Sequence, residues 1–327
     1  MRTAISPNGN RATIVTLTMN PVLDITTSVD SVRPTDKLRC QGARHGPGGG
    51  GINVARIAHV LGASAAAVFP AGGPTGDVVA DLLVAEGVPF HRVRIGGRTR
   101  ESFTVNEESS GQQYRFVLPG PRLTFAERAQ CIKELRAVAG SAQFVVVSGS
   151  LPPDMPADFY QQIVDVCSDL GTQLILDTSG TGLHHIPSGV FLLKPSVREL
   201  RECVGRELAT EAEQIAAAQH LVQRGRARIV VVSLGERGAL LVTHTAAQRI
   251  PAIKMRSGSG VGAGDAMVAA ITVGLSRGWP LSKSVRFGVA AGAAMLMTPG
   301  TAVCSRADVE RLFELVAEPA DLSAVKS

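Results

Sequence analysis

The chemistry-bearing residues of this 327-residue chain concentrate in one stretch, Ser257-Gly258-Ser259-Gly260-Val261-Gly262-Ala263-Gly264-Asp265, which runs into an apolar segment over 266–275. Alternating glycines at a helix start let backbone N–H groups crowd together where the helix dipole adds positive charge, which makes a seat for a phosphate. Asp265 at such a seat has two readings. It is either a first-turn acid favoured by the dipole, or a base that takes the proton of an attacking hydroxyl while the N–H groups stabilise a phosphoryl group in flight. Two matches to the dinucleotide pattern G-x-G-x-x-G/A occur, at Gly258/Gly260/Ala263 and at Gly46/Gly48/Gly51. Neither has the expected setting after the first strand of a βαβ unit with an acid about 20 residues on. No G-K-[ST] occurs, so a Walker A loop is excluded.

A second glycine run, Gly46-Pro47-Gly48-Gly49-Gly50-Gly51, precedes an amphipathic segment that stops at Gly62. Four consecutive glycines cost backbone entropy and imply close approach of backbone to a ligand, with Asn53 as a polar contact in the first turn. Asp24 follows the first apolar run, 12–17, on a loop at its carboxyl end. Open parallel sheets bind ligands there, so Asp24 either holds substrate hydroxyls or is a solvated turn acid.

The elements that must position these residues alternate between short β-branched runs and helical patterns, which predicts a doubly wound, mainly parallel α/β sheet with helices on both faces. The alternation is interrupted by runs at 25–29, 38–44, 90–95, 101–105 and 113–118, with a turn at Ser109-Ser110-Gly111. These predict a small β-sheet lid over the substrate that also pairs two subunits. Runs at 239–242 and 248–253 predict an antiparallel edge. One domain over 12–316 is expected, flanked by flexible tails at 1–11 and 317–327.

Composition excludes several classes. Hydrophobic residues make 45% of the chain but aromatic ones only 4%, so the core is aliphatic. The net charge of +5 comes without a basic stripe or interleaved aromatics, so the excess reads as local anion binding, not nucleic-acid binding. Five widely spaced cysteines without C-x-x-C read as thiols in a reducing compartment. No stretch resembles a signal peptide or a membrane span, and a soluble, cytoplasmic protein is expected. The seven histidines lack zinc spacing, and Ser148-Gly149-Ser150 is not a nucleophile elbow.

The paired motifs Gly-Gly-Gly-Gly-Ile-Asn-Val-Ala (48–55) and Val-Gly-Ala-Gly-Asp (261–265) resemble those of the PfkB, or ribokinase-like, carbohydrate kinases, and the resemblance covers 12–316. Further strings at 37–40, 99–100, 113–116, 148–153 and 232–235 are similar to the 6-phosphofructokinase branch of that family. The resemblance implies transfer of the γ-phosphoryl of ATP to O1 of fructose 6-phosphate, with Mg²⁺. Tagatose 6-phosphate or fructose 1-phosphate kinases, or an idle nucleotide-binding regulator, are the alternatives. It implies Asp265 as general base with Gly262, Ala263 and Gly264 as anion hole. Asp24, Gly49, Gly50 and Asn53 would face the sugar, and Arg100, Lys37, Ser150 and Arg39, the last from the other subunit of a homodimer, its phosphate. Lys194, Ser196, Ser233, Gly235, Gly238, Ser257 and Val289 would face the nucleotide, and Glu199 would act on Mg²⁺ through water. Backbone carbonyls of Ser259, Val261 and Gly300 would suit K⁺. Two departures stand out: Ser196 occupies the place of an amide common in the family, and Ser259-Gly260 that of D-T. Related kinases of fructose 1-phosphate and tagatose 6-phosphate look like G-G-K-G where this chain has Gly50, which favours fructose 6-phosphate.

Overall fold

A computed structural model describes residues 12–255, 260–298 and 302–322. Its strands are β1 Ile14–Leu17, β2 Val22–Val29, β3 Arg44–Gly48, β4 Ala65–Ala71, β5 Phe90–Arg94, β6 Arg100–Glu107, β7 Gln113–Val117, β8 Phe144–Ser148, β9 Gln173–Asp177, β10 Val190–Leu193, β11 Ala227–Ser233, β12 Ala239–Val242, β13 Ala247–Ile250 and β14 Ala320–Asp321. The α-helices are α1 Gly50–Val60, α2 Gly73–Ala85, α3 Phe125–Val138, α4 Phe159–Leu170, α5 Val197–Val204, α6 Glu211–Gln223, α7 Ala263–Ser276, α8 Leu281–Met295 and α9 Arg306–Phe313.

The main sheet has the order β14-β13-β12-β11-β10-β9-β8-β1-β4-β5. Pairings from β11 through to β5 are parallel, and β12, β13 and β14 add an antiparallel edge. Central strands such as Ile-Val-Thr-Leu (β1) and Phe-Val-Val-Val-Ser (β8) are buried along their whole length, as strands covered on both faces must be. On one face Val146, Ile175, Leu192 and Val231 pack with α1, α7, α8 and α9. On the other Val145, Val147, Leu174, Leu176 and Val230 pack with α3, α4, α5 and α6. Residues 266–274 of α7 are all buried, which explains why that helix reads as apolar all round.

A separate four-stranded sheet, β3-β2-β6-β7, forms the lid. It differs from the expected one in three ways. Residues 38–43 are not a strand, and β3 begins at Arg44 and takes in part of the glycine run. That run pairs closely with β2: a Cβ on Gly48 would lie 2.0 Å from Asp24 Oδ2, so only glycine lets the strands meet there. Asp24 accordingly sits within β2 and not on a loop. The run at 90–95 is no lid strand at all; β5 pairs parallel to β4 at the edge of the main sheet, with Phe90 against Phe69 at 5.6 Å between ring centroids. The expected tail after 316 is partly ordered, because β14 pairs with β13 and Leu322 N donates to Ala247 O. Residues 1–11 and 323–327 lie outside the described residues.

Phe90 is 1% exposed, so Phe90→Ala should cost about 3–5 kcal/mol through the lost burial and the cavity left behind. Urea unfolding measures it; a loss under 1 kcal/mol would return this segment to the lid.

Candidate active site

The parallel strands end side by side, and their alternation sets which side chains meet there. Ser148, Asp177, Lys194 and Ser233 each lie two residues beyond, in order, Val146, Ile175, Leu192 and Val231, which face α1 and α7. With a period of two, all four therefore point to the same face, at the carboxyl edge of the sheet. The first turn of α7 is aimed at this row. Asp265 Oδ2 accepts a hydrogen bond from Asn53 Nδ2 at 2.9 Å, and Oδ1 accepts one from Ser148 Oγ at 3.2 Å. Beside them Lys194 Nζ pairs with Asp177 Oδ1 at 3.1 Å. A Cβ on Gly264 would lie 3.4 Å from Lys194 Nζ, which places the ammonium next to the helix start.

Burial dominates the electrostatics. Asp265 keeps some solvent contact at the bottom of the cleft, yet protein surrounds it closely enough to push its carboxyl up, against the pull of Asn53, Lys194 and Ser148. Burial likewise pushes Asp177 up to about 7, with Lys194 opposing and Asp265 adding to the shift. Lys194 is held above its usual range, because Asp177, Glu199 and Asp265 together outweigh its own burial.

Two cavities meet at the start of α7. One lies under the lid and is lined by Asp24, Asn53, Arg56, Arg115, Val261 and Gly262, among others. The second, of about 460 Å³, is lined by Ser233, Gly235, Gly238, Ala263, Gly264 and Val289 together with apolar Ile253, Met255, Met267 and Leu296. Gly262 faces one and Gly264 the other, so the seat forms the wall between them. Ala263 N–H turns back to Gly260 O at 3.2 Å, which leaves the seat to its neighbours in this conformation.

Most expected residues assemble here, but not all. Burial raises the Asp24 carboxyl, opposed by Arg115 and Arg100. Arg100 begins β6, and its guanidinium donates to Leu118 O at 3.2 Å and Asn20 O at 3.1 Å while Nε is buried without a partner. Ser150 joins it through Asn20, whose Nδ2 donates to Ser150 Oγ at 3.2 Å. Gly50 approaches β8 so closely that an added Cβ would lie 2.3 Å from Ser148 Oγ, which leaves no room there for a lysine; Gly49 has φ 112°. Lys37 and Arg39 are exposed on the connection between β2 and β3 and line neither cavity. Ser196 caps α5: its Oγ accepts from Glu199 N, and Glu199 Oε2 accepts from Ser196 N and Oγ. Ser257, Ser259 and Gly300 lie outside the described residues, so of the expected K⁺ carbonyls only that of Val261 is described. Sequence reasoning missed Asn20, Arg115, Ser148 and Asp177. The period-two rule, carried to the last residue of each strand, would have found Ser148 and Asp177.

A lidded, doubly wound sheet whose helix start carries a carboxylate between two cavities defines a ribokinase-like kinase. The chain belongs to the pfkB family of carbohydrate kinases, whose model matches residues 17–308. It is 67% identical over 309 residues to ATP-dependent 6-phosphofructokinase isozyme 2 of Mycobacterium tuberculosis (strain ATCC 25618 / H37Rv), covering 94% of this chain and 91% of that one. Phosphofructokinase-2 of Escherichia coli in complex with fructose-6-phosphate matches with a TM-score of 0.87 and 39% identity, over 93% of this chain and 99% of that one. The tetrameric inhibited form of phosphofructokinase-2 from Escherichia coli matches with a TM-score of 0.87 and 40% identity, over the same shares.

Asp265→Asn should lower turnover by about 10²–10⁴ with little change in ligand binding, the range for a lost general base. A base must be deprotonated and burial raises the Asp265 carboxyl, so turnover that uses Asp265 as its base should fall as pH drops through a value above the ordinary 3.8. A kcat profile flat down to pH 4, or near-normal turnover by the variant, would reduce Asp265 to a first-turn acid.

Proposed function

We propose that this chain is an ATP-dependent 6-phosphofructokinase, which transfers the γ-phosphoryl of ATP to O1 of fructose 6-phosphate to give fructose 1,6-bisphosphate and ADP. The carrying observation is Asp265, held by Asn53 and Ser148 at the start of α7, where a cavity under the lid that carries Asp24, Asn53, Arg56 and Arg115 meets a largely apolar one behind it. The sugar takes the first and the nucleotide the second. Asp265 accepts the proton of O1 as that oxygen attacks, and the first turn of α7 with Lys194 balances the charge spread over the phosphoryl oxygens. Asp24 accepts hydrogen bonds from sugar hydroxyls. The sugar's own phosphate lies against Arg100, Ser150 and Asn20, which hydrogen bonds already hold together.

The residues also fit a divalent cation carried in with the triphosphate. Asp177, Asp265 and Glu199 outnumber Lys194 around the seat, and this excess of buried carboxylate favours added positive charge. Glu199 would hold Mg²⁺ through water, its position fixed by the bond with Ser196. Bound there, the metal would neutralise charge on the phosphates. K⁺ on the Val261 carbonyl is part of the same reading. Cys40, Cys131, Cys167, Cys203 and Cys304 are all free thiols, in keeping with work in the cytoplasm, and among the described residues no helix is long and apolar enough to cross a membrane.

The lid also supports a homodimer. Phe103 and Phe116 are cross-strand partners on one face of the lid, 37% and 55% exposed, with Leu118 in phase just beyond β7 and 45% exposed. An apolar sheet face of this kind calls for a partner surface, and a second copy would bring Arg39 and Lys37 toward the phosphate. Sedimentation should therefore show at least a dimer at micromolar concentration, and Phe116→Asp should shift it toward monomer. A wild-type monomer would remove this part of the reading.

Arg100→Ala should raise KM for fructose 6-phosphate roughly 10-fold or more, for a lost charge-assisted bond of ~1.5–3 kcal/mol, and leave ATP binding nearly unchanged. An ADP-release assay on fructose 6-phosphate, tagatose 6-phosphate, fructose 1-phosphate and free fructose tests both claims. Equal loss toward phosphorylated and free sugar would make Arg100 a structural support of the lid, and faster turnover of another acceptor would reassign the substrate.

A further inference from the structure

We infer that Ser148 is a positioning residue for the base: its hydroxyl holds Oδ1 of Asp265 while Asn53, which lines the cavity under the lid, holds the opposite oxygen. The inference rests on the reading of Asp265 as general base and extends it to a residue outside both cavity linings. Ser148 is 2% exposed and stands at the end of β8, between β1 and β9. Its Oγ lies 3.2 Å from Asp265 Oδ1 and 3.5 Å from Asp177 Oδ2, so one hydroxyl proton stands between two carboxylates and can serve only one of them fully. Asp177 has Lys194 as its own cation at 3.1 Å, whereas Asp265 has only uncharged donors in direct contact. The shorter bond and the greater need both assign the proton to Asp265.

The surroundings fix Ser148 in that place. Register sets Ser148 opposite Asp177 on the neighbouring strand, and Gly149 N donates to Asp177 O at 2.9 Å. From α1 the backbone of Gly50 comes so near that a Cβ there would overlap Ser148 Oγ. The hydroxyl is thus clasped between a glycine backbone and two acids, a setting that a merely space-filling serine would not need. The charged groups facing Asp265 are Lys194 from the end of β10, Asp177 from β9 and Glu199 from α5; Asn53 of α1 and Ser148 of β8 complete its surroundings. Among them Ser148 and Asn53 are the two that point the carboxylate.

Removing the hydroxyl takes away a donor that favours the charged form, so in Ser148→Ala the pKa of the base should rise and the acid limb of the kcat profile should move to higher pH. The kcat itself should fall about 10- to 100-fold for a lost bond to a charged group. KM for fructose 6-phosphate, ATP affinity by calorimetry and the melting temperature should stay close to wild type. A kcat and an acid limb both unchanged would overturn the inference, as would a parallel loss of kcat, KM and melting temperature, which marks a structural role. Combining Ser148→Ala with Asp265→Asn gives a second check: if Ser148 acts through the base, the double variant should be no slower than Asp265→Asn alone, and a further 10-fold loss would overturn it. The wild type is assayed first on the four acceptors. Its failure with fructose 6-phosphate would sink the substrate assignment, and the Ser148→Ala ratio would then be read on whichever acceptor turns over.

Discussion

The site depends on holding two carboxylates, Asp265 and Asp177, where protein largely takes the place of bulk water. Desolvation alone would drive a proton onto Asp265 or Asp177, and an uncompensated buried charge costs several kcal/mol. The protein offsets that cost locally. The first turn of α7 contributes a helix dipole, Lys194 an ammonium, and Asn53 and Ser148 neutral donors. None of these four comes from the same element as another, so with β9, which carries Asp177, five segments must meet in one place.

A parallel sheet does this with little extra machinery. Neighbouring strands lie about 4.8 Å apart, and alternate residues share a face. Once the apolar residues of β8, β9, β10 and β11 commit one face to α1 and α7, the next residue in phase at each carboxyl end has to look the same way. The polar row Ser148, Asp177, Lys194, Ser233 is thus a by-product of the hydrophobic register. The apolar burial of α7 fixes the remaining partner, since a helix enclosed along 266–274 has no freedom to tilt its first turn away from that row.

What the sequence disclosed and what it hid divide along the same physical line. The phosphate seat at 260–265, the approach of the glycine run and the alternation of strands and helices depend on local backbone preference, which short windows carry. The membership of Phe90–Arg94 in the main sheet does not: a short strand reads alike in either sheet, and only the partner, here β4, decides it. The same holds for β3, whose glycine residues argue locally against a strand yet are required by the proximity of Asp24. Asn20 escaped because it meets residues distant in sequence, Arg100 and Ser150, whereas Asp177 was legible in the alternation of β9 and only its pairing with Lys194 was not.

The opposed effects on Asp265 explain how a carboxylate can work as a base at a site built for anions. A helix start alone would depress its pKa and leave a weak base, while burial alone would leave it protonated and idle. Burial is the largest influence, and the bonds from Asn53 and Ser148 and the charge of Lys194 oppose it, so the group is shifted upward by less than burial alone would shift it. On the proposed reading, a phosphoryl group arriving at the helix start adds negative charge and strengthens the proton affinity of Asp265 as O1 begins to lose its proton. On that reading, the repulsion that makes an acid look misplaced beside a phosphate favours proton capture when the bond to phosphorus forms.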